Sequence, residues 1–408
     1  MRCQTKINII MLKMLALAFL GITSSMTFPT IAKALPHQKI NQYLEEHHTQ
    51  YQALEYFSGI QLSVKVSDRQ TQTYVIGQES HDPNSSPITA ESLFHIGSIT
   101  KSFTATLLLQ NENNQILDLD TDFTQYLPEY SHWSGITTTQ LLNMTSGLPN
   151  YSDSPTVNYL FSQDLEQFWE ERSLIDLVYP QNSAAKPPLR SGYDYNNTGY
   201  LLSALLLETV TGESFADLIT NQLLQPYQLE NTFYPVPNPS AAVQQRLVRG
   251  YNFNPYTNPE LAGQDVSRNN LSWAGAAGAL ISNTEDIIHW VQTLFIEDQL
   301  LSAVEKEKMQ QVVSLKTGEP IAKTTAADPY GFGLGIIQGY DETWGNYWFY
   351  QGETLGYRSF YVYFPCNQVI ISALFNSAVD AQNNHARSLI QQVYGAILED
   401  DPTLTCRT

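Results

Sequence analysis

Ser98 and Lys101 stand three residues apart in the stretch Phe94-His95-Ile96-Gly97-Ser98-Ile99-Thr100-Lys101-Ser102-Phe103-Thr104. A serine hydroxyl is a weak nucleophile until a base takes its proton, and a lysine amine is one such base. Residues i and i+3 share a helix face, so on a helix the two side chains project together. The flanking sequence predicts that helix. Gly97 allows a sharp turn into it, and Phe103, Leu107 and Leu108 mark an apolar face between Ser102 and Gln110. Ser98 then falls in the first turn, where the backbone dipole favours negative charge developing on its oxygen.

A Ser-x-x-Lys pair alone is a weak signal, and the chain contains its own control. Ser183-Ala184-Ala185-Lys186 has the same spacing, but Pro187 and Pro188 follow it. A residue before proline is pushed out of the helical region, so that pair cannot share a helix face. A second constellation is Tyr195-Asn196-Asn197 within Tyr193-Asp194-Tyr195-Asn196-Asn197-Thr198-Gly199-Tyr200. A phenol there can shuttle protons with Lys101, and the Asn197 amide can hydrogen-bond both a substrate amide and Lys101. In a chain with 24 tyrosines, a purely structural turn is the competing reading. Tyr256-Thr257-Asn258 repeats the pattern, but between prolines in a loop.

With both motifs in order, the chain resembles the serine β-lactamase and penicillin-binding protein family, in its class C and D,D-peptidase branch. Further similar stretches run collinearly: Leu117-Asp118-Leu119-Asp120, Gln140 to Pro149, Val210-Thr211-Gly212, Ala274 to Gly278 and Tyr330 to Gly335. The resemblance covers nearly all of the chain after its first 34 residues. It implies an acyl-enzyme on Ser98, with Lys101 and Tyr195 moving protons and the backbone N–H groups of Ser98 and Glu353 holding the oxyanion. The third family motif departs here. It normally begins with Lys or His, whereas this chain has Tyr350-Gln351-Gly352-Glu353. In the family that cation helps hold a substrate carboxylate; Tyr350 brings a donor but no charge. Arg358 is near enough in sequence to replace it.

The implied activity is that of an exported serine acyl-hydrolase. A D-alanyl-D-alanine terminus of a peptidoglycan peptide is the first expected acyl donor, with a β-lactam as its analogue. Small esters come next, favoured by the missing cation. A catalytically weak binder of cell-wall peptides is the alternative from a different class. No metal or cofactor signature appears. His47 and His48 are adjacent and diverge on a helix, and Gly275 to Gly278 lacks the Lys-Ser/Thr of a phosphate loop. His95 reads as structural.

Strands are expected at both chain ends around a helical middle. Ile60 to Val66 alternates apolar and polar, and Thr71 to Ile76 follows across a turn. Trp348 to Tyr350, Tyr357 to Phe364 and Val369 to Phe375 are aromatic and β-branched, and His385 to Leu398 reads as a closing helix. Between about 102 and 310 the pattern is mostly helical, clearest at Leu201 to Val210 and Glu285 to Phe295; Asn252 to Asn270 reads as a loop. The expected fold class is α+β: an antiparallel sheet built from both chain ends, flanked by helices, with a helical insertion.

Residues 1–34 read as a signal peptide. Arg2, Lys6 and Lys13 precede an apolar stretch from Met14 to Ile22, and Ala32-Lys33-Ala34 is a small-x-small cleavage site. Its removal would leave 374 residues carrying 17 basic against 40 acidic side chains. That balance argues against nucleic-acid partners and anionic membrane surfaces. No stable membrane anchor is expected, and the destination is the periplasm or the outside. Cys366 and Cys406 would be the two cysteines left, expected to pair in an exported protein.

Overall fold

A computed structural model describes residues 34–180, 189–255 and 258–406. The Ser183–Lys186 pair, the Tyr256-Thr257 dipeptide and residues 1–33, where the signal peptide is expected, lie outside the described residues.

The sheet comes from the chain ends. Its strands are β1 (Gly59–Val66), β2 (Gln72–Gly77), β3 (Val312–Ser314), β4 (Pro320–Ile321), β5 (Tyr330–Phe332), β6 (Ile337–Asp341), β7 (Gly345–Thr354), β8 (Tyr357–Phe364) and β9 (Val369–Phe375). They are ordered β2-β1-β9-β8-β7-β6-β5-β3-β4, every neighbour antiparallel. The helices that frame the site are α1 (His37–Glu55), α2 (Thr100–Asn113), α3 (Thr198–Thr211), α4 (Gly275–Gly278), α5 (Thr284–Phe295) and α6 (Ala386–Asp400).

Alternation along the strands sorts side chains into two cores. On β9, Val369, Ile371, Ala373 and Phe375 pack with Leu44 of α1 and Val393 of α6, while Ile370 and Leu374 join the core of the helical layer. Two of the three polar residues of β1 do not face water. Gln61 and Ser63 are fully buried, and they bond the start of α5 through Thr284 N (2.7 Å) and Thr284 Oγ1 (2.6 Å). Burying those amide and hydroxyl groups is tolerated because each finds a partner.

Cys366 and Cys406 are bonded, with Cα atoms 5.8 Å apart, tying the C-terminal segment to the turn between β8 and β9. The bond closes a sequence separation of 40, so its loss should cost roughly 3–4 kcal/mol on the chain-entropy account. Thiol titration of denatured, unreduced protein should find neither cysteine free, and Cys406→Ser should lower the urea midpoint accordingly. Two titratable thiols would exclude the bridge in the folded protein.

Candidate active site

The nucleophile loop is set by a short antiparallel bridge and a tight turn. Phe94 and His95 pair with Ser282 and Ile281, and the chain then turns through Gly97-Ser98-Ile99 into α2. Gly97 has φ +50°, and a Cβ there would lie 2.6 Å from the backbone nitrogen of Glu353. Gly352 is as constrained: a Cβ would come within 2.0 Å of Ile96 O and 2.9 Å of Ser98 N. Only glycine lets β7 approach the serine turn this closely. The result brings the backbone of Glu353 against the serine turn and that of Ser98 against β7. Ser359 locks the turn from β8, its Oγ donating to Ile96 O at 2.6 Å.

The start of α2 is clamped to α4. Thr104 Oγ1 donates to Ala276 O (2.7 Å), and Leu280 N donates to Thr100 Oγ1 (3.1 Å). Phe103 stacks on Trp290 of α5 with ring centroids 3.7 Å apart, and Trp290 Nε1 donates to Ser102 Oγ. Lys101 is thereby fully buried. Its Nζ donates to Ser98 Oγ at 2.9 Å and to Ala277 O at 2.7 Å. Burial penalises the ammonium form and holds the Lys101 pKa below its ordinary value, so the amine gives up its proton more readily. Behind α4, burial pushes the Glu171 carboxyl up to about 8, where it takes a hydrogen bond from Ala276 N–H.

Tyr195 arrives from the loop before α3. That loop is stitched to residues 148–152: Asn196 Nδ2 donates to Leu148 O (2.5 Å), Asn197 N to Asn150 Oδ1 (3.0 Å), and Thr198 Oγ1 to Pro149 O (2.7 Å). Tyr195 Oη lies 2.7 Å from Ser98 Oγ, and the Lys101 ammonium nitrogen is 5.0 Å from the Tyr195 ring centre. Lys101 and Tyr195 thus meet at the Ser98 hydroxyl.

Asn197 departs from expectation. It lines the cleft, but its Nδ2 donates to Ser152 Oγ at 2.9 Å rather than bonding Lys101. Its backbone is pinned by Asn150, which turns the side chain toward the 150–152 segment. Its buried Oδ1 is left without a partner and can accept from a substrate N–H. Ser152 carries no sequence signal of its own.

The third motif divides by strand alternation. Tyr350 and Gly352 face the serine, whereas Gln351 and Glu353 have exposed side chains directed to the other face. Their contribution to the site is backbone and edge. Tyr350 is buried, with its hydroxyl beside that of Tyr195. Arg358 pairs directly with Glu353 across the ladder and so points away from Ser98. It is buried against the end of α1, in an ion pair with Glu55 at 2.7 Å and in hydrogen bonds to Ser377 and Asn384. The proposed replacement of the missing cation by Arg358 is therefore excluded: the guanidinium is on the opposite sheet face with its charge already matched.

Similarity to known proteins covers most of this architecture. Residues 45–394 match the Beta-lactamase family. Penicillin-binding protein 4* of Bacillus subtilis (strain 168) is 26% identical over 304 residues, which cover 74% of this chain and 64% of that protein; the chain spans less than two thirds of that relative's length. The crystal structure of the D-amino acid amidase from Ochrobactrum anthropi SV3 superposes with a TM-score of 0.73 at 21% identity, covering 89% of this chain and 98% of the amidase. A D-stereospecific amidohydrolase from Streptomyces sp. gives a TM-score of 0.69 at 24% identity, covering 88% and 98%.

Proposed function

The chain belongs to the beta-lactamase family of serine hydrolases, and on that footing we propose that it cleaves amide and ester acyl donors through a covalent intermediate on Ser98. The observation that carries this reading is the convergence of Lys101 Nζ (2.9 Å) and Tyr195 Oη (2.7 Å) on Ser98 Oγ. Ser98 Oγ attacks the carbonyl carbon while its proton passes to neutral Lys101. Negative charge gathers on the carbonyl oxygen between the N–H groups of Ser98 and Glu353. Such donors contribute about 3–4 kcal/mol each in transition states of this kind. Tyr195, at the mouth, delivers a proton to the departing nitrogen or oxygen. Water then attacks the acyl-enzyme with the same groups acting in reverse.

For substrate class we propose short D-amino-acid amides, peptides and small esters whose leaving group carries no carboxylate. Kinship with the amidase and amidohydrolase supports the D-configured donor. The engagement of Arg358 by Glu55 supports the neutral leaving group, because it leaves a carboxylate beside the scissile bond without that charged partner. A D-alanyl-D-alanine carboxypeptidase is the second reading, favoured by the Tyr350 hydroxyl, which stands beside Tyr195 and can donate to a carboxylate. Action outside the cytoplasm belongs to the same proposal and is supported by the Cys366–Cys406 bond.

A panel of D-alanine amide, p-nitrophenyl butyrate, nitrocefin and a D-Ala-D-Ala peptide tests the choice. The neutral amide and ester should be the better substrates and nitrocefin a poor one. A missing charge-assisted hydrogen bond costs about 1.5–3 kcal/mol, or roughly ten- to 150-fold in affinity. Tyr350→His should therefore raise the ratio of carboxypeptidase to esterase kcat/KM. A wild-type enzyme that prefers the free carboxylate, with no gain from Tyr350→His, would defeat the neutral-leaving-group reading.

A further inference from the structure

The catalytic cleft does not end at the serine. β6 pairs with β7 only as far as Phe349, so the edge of β7 from Tyr350 to Thr354 is open toward the site. A single cavity of about 780 Å³ passes around this open edge, joining the Ser98 face of the sheet to the face beneath the start of α6. That volume lies toward the upper end of the range for small-ligand sites and exceeds what one amino-acid amide fills. Its far arm is aromatic. Phe349 lies between Tyr330 and Tyr347, with ring centres 5.9 and 5.5 Å away, and Trp344 continues the wall 5.8 Å beyond Tyr347. One cation closes it. Arg387, 55% exposed, donates to Tyr330 Oη at 3.0 Å and stands 3.9 Å from Asp341. Unlike Arg358, it retains donor capacity toward the cleft, since only one of its N–H groups is spent on Tyr330 and Asp341 is at the limit of an ion pair.

We propose that this far arm is a subsite for the distal end of the acyl portion, selecting donors that carry an apolar or aromatic chain ending in a carboxylate. The inference rests on the acyl-transfer reading of Ser98 and adds a specificity determinant, Arg387, to it. Spacing fixes what fits. Gly352, against the serine turn, and Phe349, in the far arm, are three residues apart on β7, or about 10 Å. The path also turns the edge of β7 and passes Tyr330, so a carboxylate reaches Arg387 only from an acyl group of at least about tripeptide length. The carboxylate in question is remote from the scissile bond, and so differs from the leaving-group carboxylate that the third motif fails to match.

The test compares thiobenzyl esters of a tripeptide ending in D-alanine, capped at the far end by succinyl or by acetyl. The wild-type protein should favour the succinyl cap about fivefold in kcat/KM, through KM rather than kcat, as expected for one partly exposed charge pair. Arg387→Gln should bring the ratio to about one, and Arg387→Glu should invert it. A purely structural role for Arg387 would move both donors together and leave the ratio untouched. Calorimetric binding of the matching unreactive peptide amides to Ser98→Ala protein reads the same preference without turnover. Equal preference for the two caps in wild-type protein, or a ratio indifferent to both Arg387 variants, overturns the subsite. Turnover that survives Ser98→Ala overturns the acyl-transfer reading instead.

Discussion

Ser98→Ala protein should take up no label from a fluorophosphonate or penicillin probe, and its hydrolase activity should fall to background. Mass spectrometry of labelled wild-type protein should place the adduct on the peptide that contains Ser98. The expectation follows from the two hydrogen bonds that converge on this hydroxyl. Ser183→Ala should label like wild type, because its lysine spacing is followed by two prolines. Undiminished labelling of Ser98→Ala protein would remove the nucleophile from the scheme, and the cell-wall-peptide binder would become the better account.

Lys101→Ala should slow acylation by at least about 100-fold, the usual contribution of a positioned general base. The same loss should appear in the pH profile. Burial lowers the Lys101 pKa, so the neutral, proton-accepting form is reached at lower pH than for a free lysine. The acid limb of kcat/KM should accordingly lie below that of a free lysine and vanish in Lys101→Ala protein. Tyr195→Phe removes the second arm of the triangle while leaving the ring near Lys101 in place. If the two groups move one proton between them, the double variant should be little slower than the slower single variant. Losses that multiply in full would show two independent contributions.

The side chains that meet at Ser98 were the most legible part of the chain. Ser98, Lys101 and Tyr195 are side chains whose types are read directly, and the strands at 357–364 and 369–375 have the bounds that their β-branched and aromatic runs suggest. What the sequence hid was direction. Alternation says that Arg358 and Ser359 face opposite ways, but only the bond from Ser359 Oγ to Ile96 O shows which of them faces the serine. Helix α1 was hidden for a different reason. Its inward positions Ile40, Leu44, His47 and Glu55 keep helical spacing, yet two of the four are polar, so the apolar periodicity is broken. Glu55 is buried because it meets Arg358 and His385, partners that lie more than 300 residues away in sequence. Ser152 and the Ala277 carbonyl were equally silent, since one is an ordinary loop serine and the other is backbone.

The open edge of β7 has a consequence beyond binding. An unpaired strand edge is a template on which any extended chain can add itself, and proteins ordinarily cover or blunt such edges to stay apart from one another. Here the stretch left unpaired by β6 is Tyr350 to Thr354, it carries a glycine and a glutamate, and it lies within a cleft rather than on a flat rim. A neighbouring protein cannot bring a strand down to it, but a slender peptide can. The recess that would admit a substrate is thus also what guards the molecule against its own aggregation.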